Sequence, residues 1–272
     1  MYQKIFSSIK IIFITIIINC GNLYASTFFT NIIVIKCNNN NIVNDSINKL
    51  NKIELKYLTG EFNPALDTNF VLVEFPYTNK KDIYIRKTVY QAFKKMADDA
   101  ARDGIKLIIV SGTRNFEEQK LLWENKWTGK TEVNKKKLNI EIFDSVDKAM
   151  EILTYTAMPG TSRHHWGTDI DINSTDTSYF KSNTGRKVFD WLVKNASQYG
   201  FCMPYNYFNA KRPFGHEEEY WHWSYLPLAK VFLNNYLENV KNENIKGFLG
   251  AETVTEINVI EYYVKAINHE CY

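Results

Sequence analysis

Apolar positions along this chain change their period several times, and each change marks an element. Val89, Ala92, Phe93, Met96 and Ala100 recur at helical spacing and Gly104 follows, which predicts a helix from about Arg86 to Asp103. The next run, Ile105 to Val110, is short, β-branched and closed by Ser111-Gly112, so it predicts a buried strand. Asn115 stands three residues before Glu118, a capping-box start for a helix whose apolar side is Phe116, Leu122, Trp123 and Trp127. Arg114 therefore falls at a strand-to-helix junction, where side chains can converge on a site from a rigid scaffold.

Beyond a charged loop between Thr128 and Lys137, the pattern predicts a helix around Ser145 to Thr154, broken by Met158-Pro159-Gly160. Thr168 to Ile172 alternates like a strand, and Arg186 to Tyr199 reads as a helix with Val188, Phe189, Leu192 and Val193 inward. Gly200 to Met203 and Trp221 to Tyr225 are further strands, and Leu228 to Val240 a further helix. The expected fold is α+β, a small mainly antiparallel sheet from segments 105–110, 168–172, 200–203 and 221–225, flanked by helices. One domain is expected over residues 57–240. A polar, poorly ordered lead-in over 26–56 contains the run Asn38 to Asn41. Residues 241–272 are expected to be a helical extension that packs back through Ile257, Ile260, Val264 and Ile267.

The N-terminus changes the picture of where this domain works. Lys4 and Lys10 precede the apolar run Ile11 to Ile18, and Leu23-Tyr24-Ala25 offers a small residue before Ser26, which predicts a secretory signal peptide over residues 1–25. The run is shorter than the roughly 20 residues of a membrane-spanning helix. An exported protein without a permanent span is expected, in the periplasm or cell envelope; Cys20 leaves a lipoprotein as the alternative. Cleavage would remove two lysines and leave 31 basic against 30 acidic residues, so charge gives no case for nucleic acid. Cys37, Cys202 and Cys271 would remain, enough for one internal disulfide whose pairing their spacing does not choose.

Candidate chemistry concentrates in two segments. Ser162-Arg163-His164-His165-Trp166-Gly167-Thr168-Asp169-Ile170-Asp171 holds two histidines and two carboxylates within ten residues. A catalytic zinc takes three His or carboxylate ligands and keeps a fourth position open. On a strand Asp169 and Asp171 share a face, so spacing does not decide which would be the ligand. The second segment, His216-Glu217-Glu218-Glu219-Tyr220-Trp221-His222, can supply a third ligand. Glu219, three residues before His222, is expected in the loop that leads into the strand, placed to act as a general base without ligating. Each of these residues has an ordinary structural reading by itself; their conjunction points to a metal site.

These residues resemble the VanY-type D-alanyl-D-alanine carboxypeptidases, within the zinc peptidase group that shares the hedgehog/DD-peptidase fold. The family pattern Ser, any, His, six residues, Asp is met by Ser162, His164 and Asp171, and Glu, any, Trp, His by Glu219, Trp221 and His222. An upstream element is met by Ser111, Gly112, Arg114 and Gln119. The resemblance spans roughly residues 57–240. It implies one Zn²⁺ ion held by His164, Asp171 and His222, and Glu219 as base. It also implies Arg114 as a catalytic oxyanion or substrate contact, and Ser162 and Gln119 as substrate contacts. His165 and His216 become non-ligands. The implied substrate is a peptidoglycan stem peptide losing a terminal D-alanine. An endopeptidase of the same fold, or a zinc-containing cell-wall binding module without turnover, are the alternatives. Asp169 stands where many relatives have alanine, as an acceptor orienting a ligand imidazole or as an extra charge near the metal.

Overall fold

The computed structural model describes residues 24–27, 33–36, 52–134, 137–138 and 144–272. The chain divides into a unit of residues 1–52 and a larger unit of residues 53–272. Most of the expected signal peptide and lead-in lies outside the described residues. Within the smaller unit, strands β1 (Tyr24–Thr27) and β2 (Ile33–Lys36) pair antiparallel, so part of the expected lead-in is regular backbone. No helix among the described residues is long and apolar enough to cross a membrane.

The larger unit begins at Ile53, four residues before the expected boundary, where the Ile53 N–H donates to Asn235 Oδ1 at 2.9 Å. Helix α1 (Leu55–Thr59) ends on Gly60 and leads to a hairpin of β3 (Phe70–Leu72) and β4 (Tyr84–Arg86). Helix α2 (Lys87–Arg102) buries Val89, Phe93, Met96 and Ala100, the face that the spacing predicted. A truncation such as Phe93→Ala in so closely packed a face costs about 3–5 kcal/mol. Strand β5 (Ile109–Ser111) is shorter than expected, and α3 (Phe116–Trp127) starts on a true capping box between Asn115 and Glu118.

Helix α4 (Ser145–Leu153), strand β6 (Asp169–Ile172), helices α5 (Thr177–Lys181) and α6 (Asn183–Asn195), strands β7 (Phe201–Cys202) and β8 (His222–Tyr225), and helix α7 (Leu226–Asn239) complete the domain. The main sheet is antiparallel throughout, in the order β5-β6-β8-β7. The α+β expectation holds, with the same four segments as strands.

Register does the decisive work. Asp169 pairs with Ser224, Ile170 with Trp223 and Asp171 with His222. Residues directly opposed on antiparallel strands point to the same face. One face of the β6-β8 pair therefore carries Ile170, Ile172 and Trp223, which join α2 and α6 in a core containing Phe93, Met96 and Leu192. The other carries Asp169, Asp171, His222 and Ser224. A slip of one residue would bury the four polar groups in that core, so the apolar face fixes the site.

A second core gathers Trp123, Trp127, Trp166, Phe232 and Tyr236 with tail residues Phe248, Val254, Ile257, Val264 and Ile267. The tail is thus part of the domain. It is built of short helical turns, among them α8 (Val254–Ile257), which Asn258, at φ +54°, ends. Cys202 and Cys271 form a disulfide that ties the tail to β7.

Candidate metal centre

His164 sits on a 3₁₀ turn, Arg163–Trp166, between α4 and β6. Gly167 closes that turn at φ +68°, where a Cβ would stand 2.4 Å from the Phe70 ring. Only glycine meets both demands cheaply. The His164 Nδ1–H donates to the Gly112 carbonyl at 2.7 Å, which leaves Nε2 as the free lone pair. Gly112 itself runs against the β3-β4 hairpin, where a Cβ would meet Ile85 at 2.6 Å, so the Ser111-Gly112 pair lets the chain approach closely enough to receive this imidazole.

His222, first residue of β8, is oriented the other way round. Its Nε2–H donates to Asp169 Oδ1 at 3.0 Å, leaving Nδ1 free. Asp171 Oδ1 lies 3.4 Å from His164 Nε2 and 3.3 Å from His222 Nδ1. The three donor atoms fall within 4.8 Å of one another, and all three residues are buried.

The two aspartates that spacing could not separate differ in what their oxygens already hold. Asp169 Oδ1 accepts from Arg163 Nε at 2.9 Å, from His222 and from Ser224 Oγ, and its Oδ2 accepts from Thr168 Oγ1 at 2.5 Å. Asp171 Oδ1 has no hydrogen-bond partner among the described residues although it is fully buried. Burying a carboxylate oxygen without a donor is costly unless a cation faces it. Burial opposes ionisation of Asp171, yet His164 and His222 hold its carboxyl well below the usual range. Burial likewise opposes charge on His222, but Asp169, Asp171 and Glu219 raise it well above an ordinary imidazole. A negative potential strong enough to draw a proton onto His222 equally draws a divalent cation into the space between the three donors. The donor set, two imidazoles with committed second nitrogens and one unpaired carboxylate oxygen, fits such an ion.

Glu219 lies in the loop before β8, held by its N–H to the Tyr205 carbonyl at 2.9 Å. Its Oε2 is 3.4 Å from His222 Nδ1. Burial pushes its carboxyl above the ordinary value, against the pull of His222.

Sequence comparison adds a family to this geometry. A model of the family described as VanY, D-alanyl-D-alanine carboxypeptidase, matches residues 82–228, more than half of the chain. The chain belongs to this family. It is 32% identical over 195 residues to a putative carboxypeptidase, YodJ, of Bacillus subtilis, covering 68% of this chain and 64% of that protein. It is 30% identical over 172 residues to a D-alanyl-D-alanine carboxypeptidase of Enterococcus faecalis, covering 60% of this chain and 59% of that one. The chain thus spans less than two thirds of the length of either relative. Among solved structures, the LdcB LD-carboxypeptidase aligns with TM-score 0.47 and 26% identity over 67% of this chain and 81% of that one. VanYB in complex with D-alanine-D-alanine aligns with TM-score 0.45 and 24% identity over 63% of this chain and 90% of that one.

In this member of the VanY family, His164 and Asp171 line a cleft of about 670 Å³ together with Arg114, Gln119, Lys126, Tyr155, Glu219 and Trp221 among others. Arg114 is placed by its N–H to the His164 carbonyl at 3.2 Å, and its Nε has no acceptor among the described residues. Gln119 donates from Nε2 to the Ala157 carbonyl at 2.7 Å, while its buried Oε1 has no donor among the described residues. Ser162 is elsewhere: buried and outside the cleft lining, it caps the turn by accepting the His164 N–H at 3.3 Å. Its geometry is that of a support for His164.

His165 and His216 are both buried and spoken for. His165 donates from Nδ1 to the Arg114 carbonyl at 2.7 Å and accepts the Gly160 N–H on Nε2 at 3.0 Å; His216 donates to the Leu153 carbonyl at 2.7 Å. Lys126 is the cleft residue that the sequence reading missed. It hydrogen-bonds Thr156 Oγ1, and burial lowers its pKa while Glu219 raises and Arg114 lowers it. Between Asn125 and Trp127 it looks in sequence like a solvated lysine, and nothing in its spacing distinguishes it.

Proposed function

We propose that this chain is a zinc-dependent carboxypeptidase that removes a terminal D-alanine from peptidoglycan stem peptides. The observation that carries the reading is the unpaired, buried Asp171 Oδ1 between His164 Nε2 and His222 Nδ1, with the Glu219 carboxylate beside them. His164, Asp171 and His222 would hold one Zn²⁺, which when bound supplies Lewis acidity and makes water a stronger acid. Glu219 is the base: buried and raised above an ordinary carboxyl, it accepts a proton from the attacking water and returns it to the leaving amine. Arg114, which lines the cleft, stabilises charge that builds on the scissile carbonyl, a contribution of about 3 kcal/mol for donors of this kind. Gln119 Oε1 offers an acceptor for a substrate N–H.

Removal of a terminal residue is favoured over internal cleavage by the cations of the cleft. Lys126, Arg114 and Lys181 line the same cleft as Glu219, so a substrate ending in a free carboxylate meets positive groups there. The Cys202–Cys271 disulfide supports export, because such bonds persist in oxidising compartments.

The test is mass spectrometry of stem peptides carrying a free or an amidated C-terminus, incubated with the zinc-loaded protein. Loss of one D-alanine from the free peptide, much reduced for the amide, is expected. Internal fragments would select the endopeptidase, and an untouched peptide with zinc bound would select the binding module. Lys126→Gln should shrink the preference for the free carboxylate by about tenfold or more, as removal of a partly desolvated charge partner does.

A further inference from the structure

We infer that Asp169 is a positioning residue for the metal: it fixes the His222 imidazole with its proton on Nε2, so that Nδ1 presents its lone pair beside Asp171. The inference rests on the metal-site reading above and extends it to a network that no ligand role explains. Arg163, Thr168, Asp169 and Ser224 are buried polar side chains on the far side of His222 from the donor triad. Arg163 donates from Nε to Asp169 Oδ1 at 2.9 Å and from Nη2 to Ser224 Oγ at 2.9 Å, and Ser224 Oγ donates to the same Asp169 oxygen. Thr168 occupies Oδ2. The Arg163 guanidinium is in turn stacked over the Trp166 ring at 4.7 Å.

Two consequences follow from this saturation. A carboxylate gripped from three sides cannot swing toward the donor triad, so it does not compete for the ion. It also cannot turn away from His222, so the imidazole plane is set, with Nε2 committed to Asp169, before any metal arrives. A ring nitrogen that donates to a carboxylate makes its opposite nitrogen a better ligand, and losing such a partner typically weakens metal binding 10–100-fold. β-Sheet register makes the arrangement possible: Asp169 faces Ser224 across the β6-β8 pair, two residues along from Asp171 and His222.

The experiment is zinc affinity by competition with a chromophoric chelator for the full chain and two variants, Asp169→Asn and the pair Arg163→Met with Asp169→Ala. The single variant keeps side-chain shape but loses the charge; the double variant removes both buried charges together, so that neither is stranded if the single variant folds poorly. Thermal melting reports folding, and ¹H–¹⁵N correlation of the imidazoles in the metal-free proteins at alkaline pH, where the rings are neutral, reports which nitrogen of His222 carries the proton. Zinc binding weakened about 10–100-fold in both variants, with the His222 tautomer no longer held to Nε2–H, supports the inference. Wild-type affinity in a folded variant, or an unchanged tautomer, overturns it while leaving the metal site intact. Wild-type protein that takes up no zinc overturns both the inference and the functional reading beneath it.

Discussion

Acidification from pH 7 to pH 5.5 should cost this domain measurable stability through two histidines outside the donor triad. His165 uses both ring nitrogens, toward Arg114 and Gly160, and burial holds its pKa down at about 3. His216 donates to Leu153 and packs against the Tyr205 and Tyr263 rings, and burial lowers its pKa to about 4. Both titrate near 6.5 once unfolded. Below that value the unfolded chain binds protons that the folded one refuses, so the stabilisation is full above pH 6.5 and is lost as pH falls toward 3–4. For each histidine the linkage amounts to about 1.4 kcal/mol at pH 5.5 and about 0.2 kcal/mol at pH 7, a loss of about 1.2 kcal/mol. Urea unfolding of the metal-free protein at the two pH values measures the total, to which His222 contributes with the opposite sign because its pKa is raised. The variant His216→Asn isolates one linkage, since groups common to both proteins cancel in the difference. Its stability should fall about 1.2 kcal/mol less than that of the wild type over the same interval. An equal fall in the two proteins would refute the assignment of His216 as a buried, neutral imidazole.

Two further outcomes test other parts of the structure. Glu219→Gln should keep its zinc, by metal analysis, while turnover of a stem peptide drops about 10²–10⁴-fold; turnover near wild type would remove Glu219 from the reaction. Cys271→Ser should lower unfolding free energy by about 2–4 kcal/mol, because the bond closes a loop of sequence separation 69. Thermal melts with and without reductant check this, and a wild type indifferent to reductant would show that the disulfide carries no stability.

What could be read from the sequence was whatever a local period or spacing encodes. The apolar face of α2, the Asn115–Glu118 capping box and the alternation through β6 are properties of neighbours along the chain, and the structure has them where the pattern put them. The shared face of Asp169 and Asp171 was legible for the same reason. The division of labour between them was not, because it depends on Arg163 and Ser224 reaching one aspartate and on nothing reaching the other. Leu122 and Val193, expected inward, are 41% and 59% exposed; each lies at the margin of its helix face and borders a cleft, where the surrounding fold decides. The β3-β4 hairpin has strands of three residues, too short for alternation to show. The Cys202–Cys271 pairing and the cleft position of Lys126 arise from the tail and α3 closing on the sheet, which no local pattern records.

The central claim is that His164, Asp171 and His222 share one ion, and metal analysis of purified protein after dialysis tests it most directly. One zinc per chain is expected for the wild type and for His165→Asn, and close to none for Asp171→Ala, although that variant removes a single carboxylate from a folded domain. Full zinc in folded Asp171→Ala, or a wild type that retains none, would contradict the account.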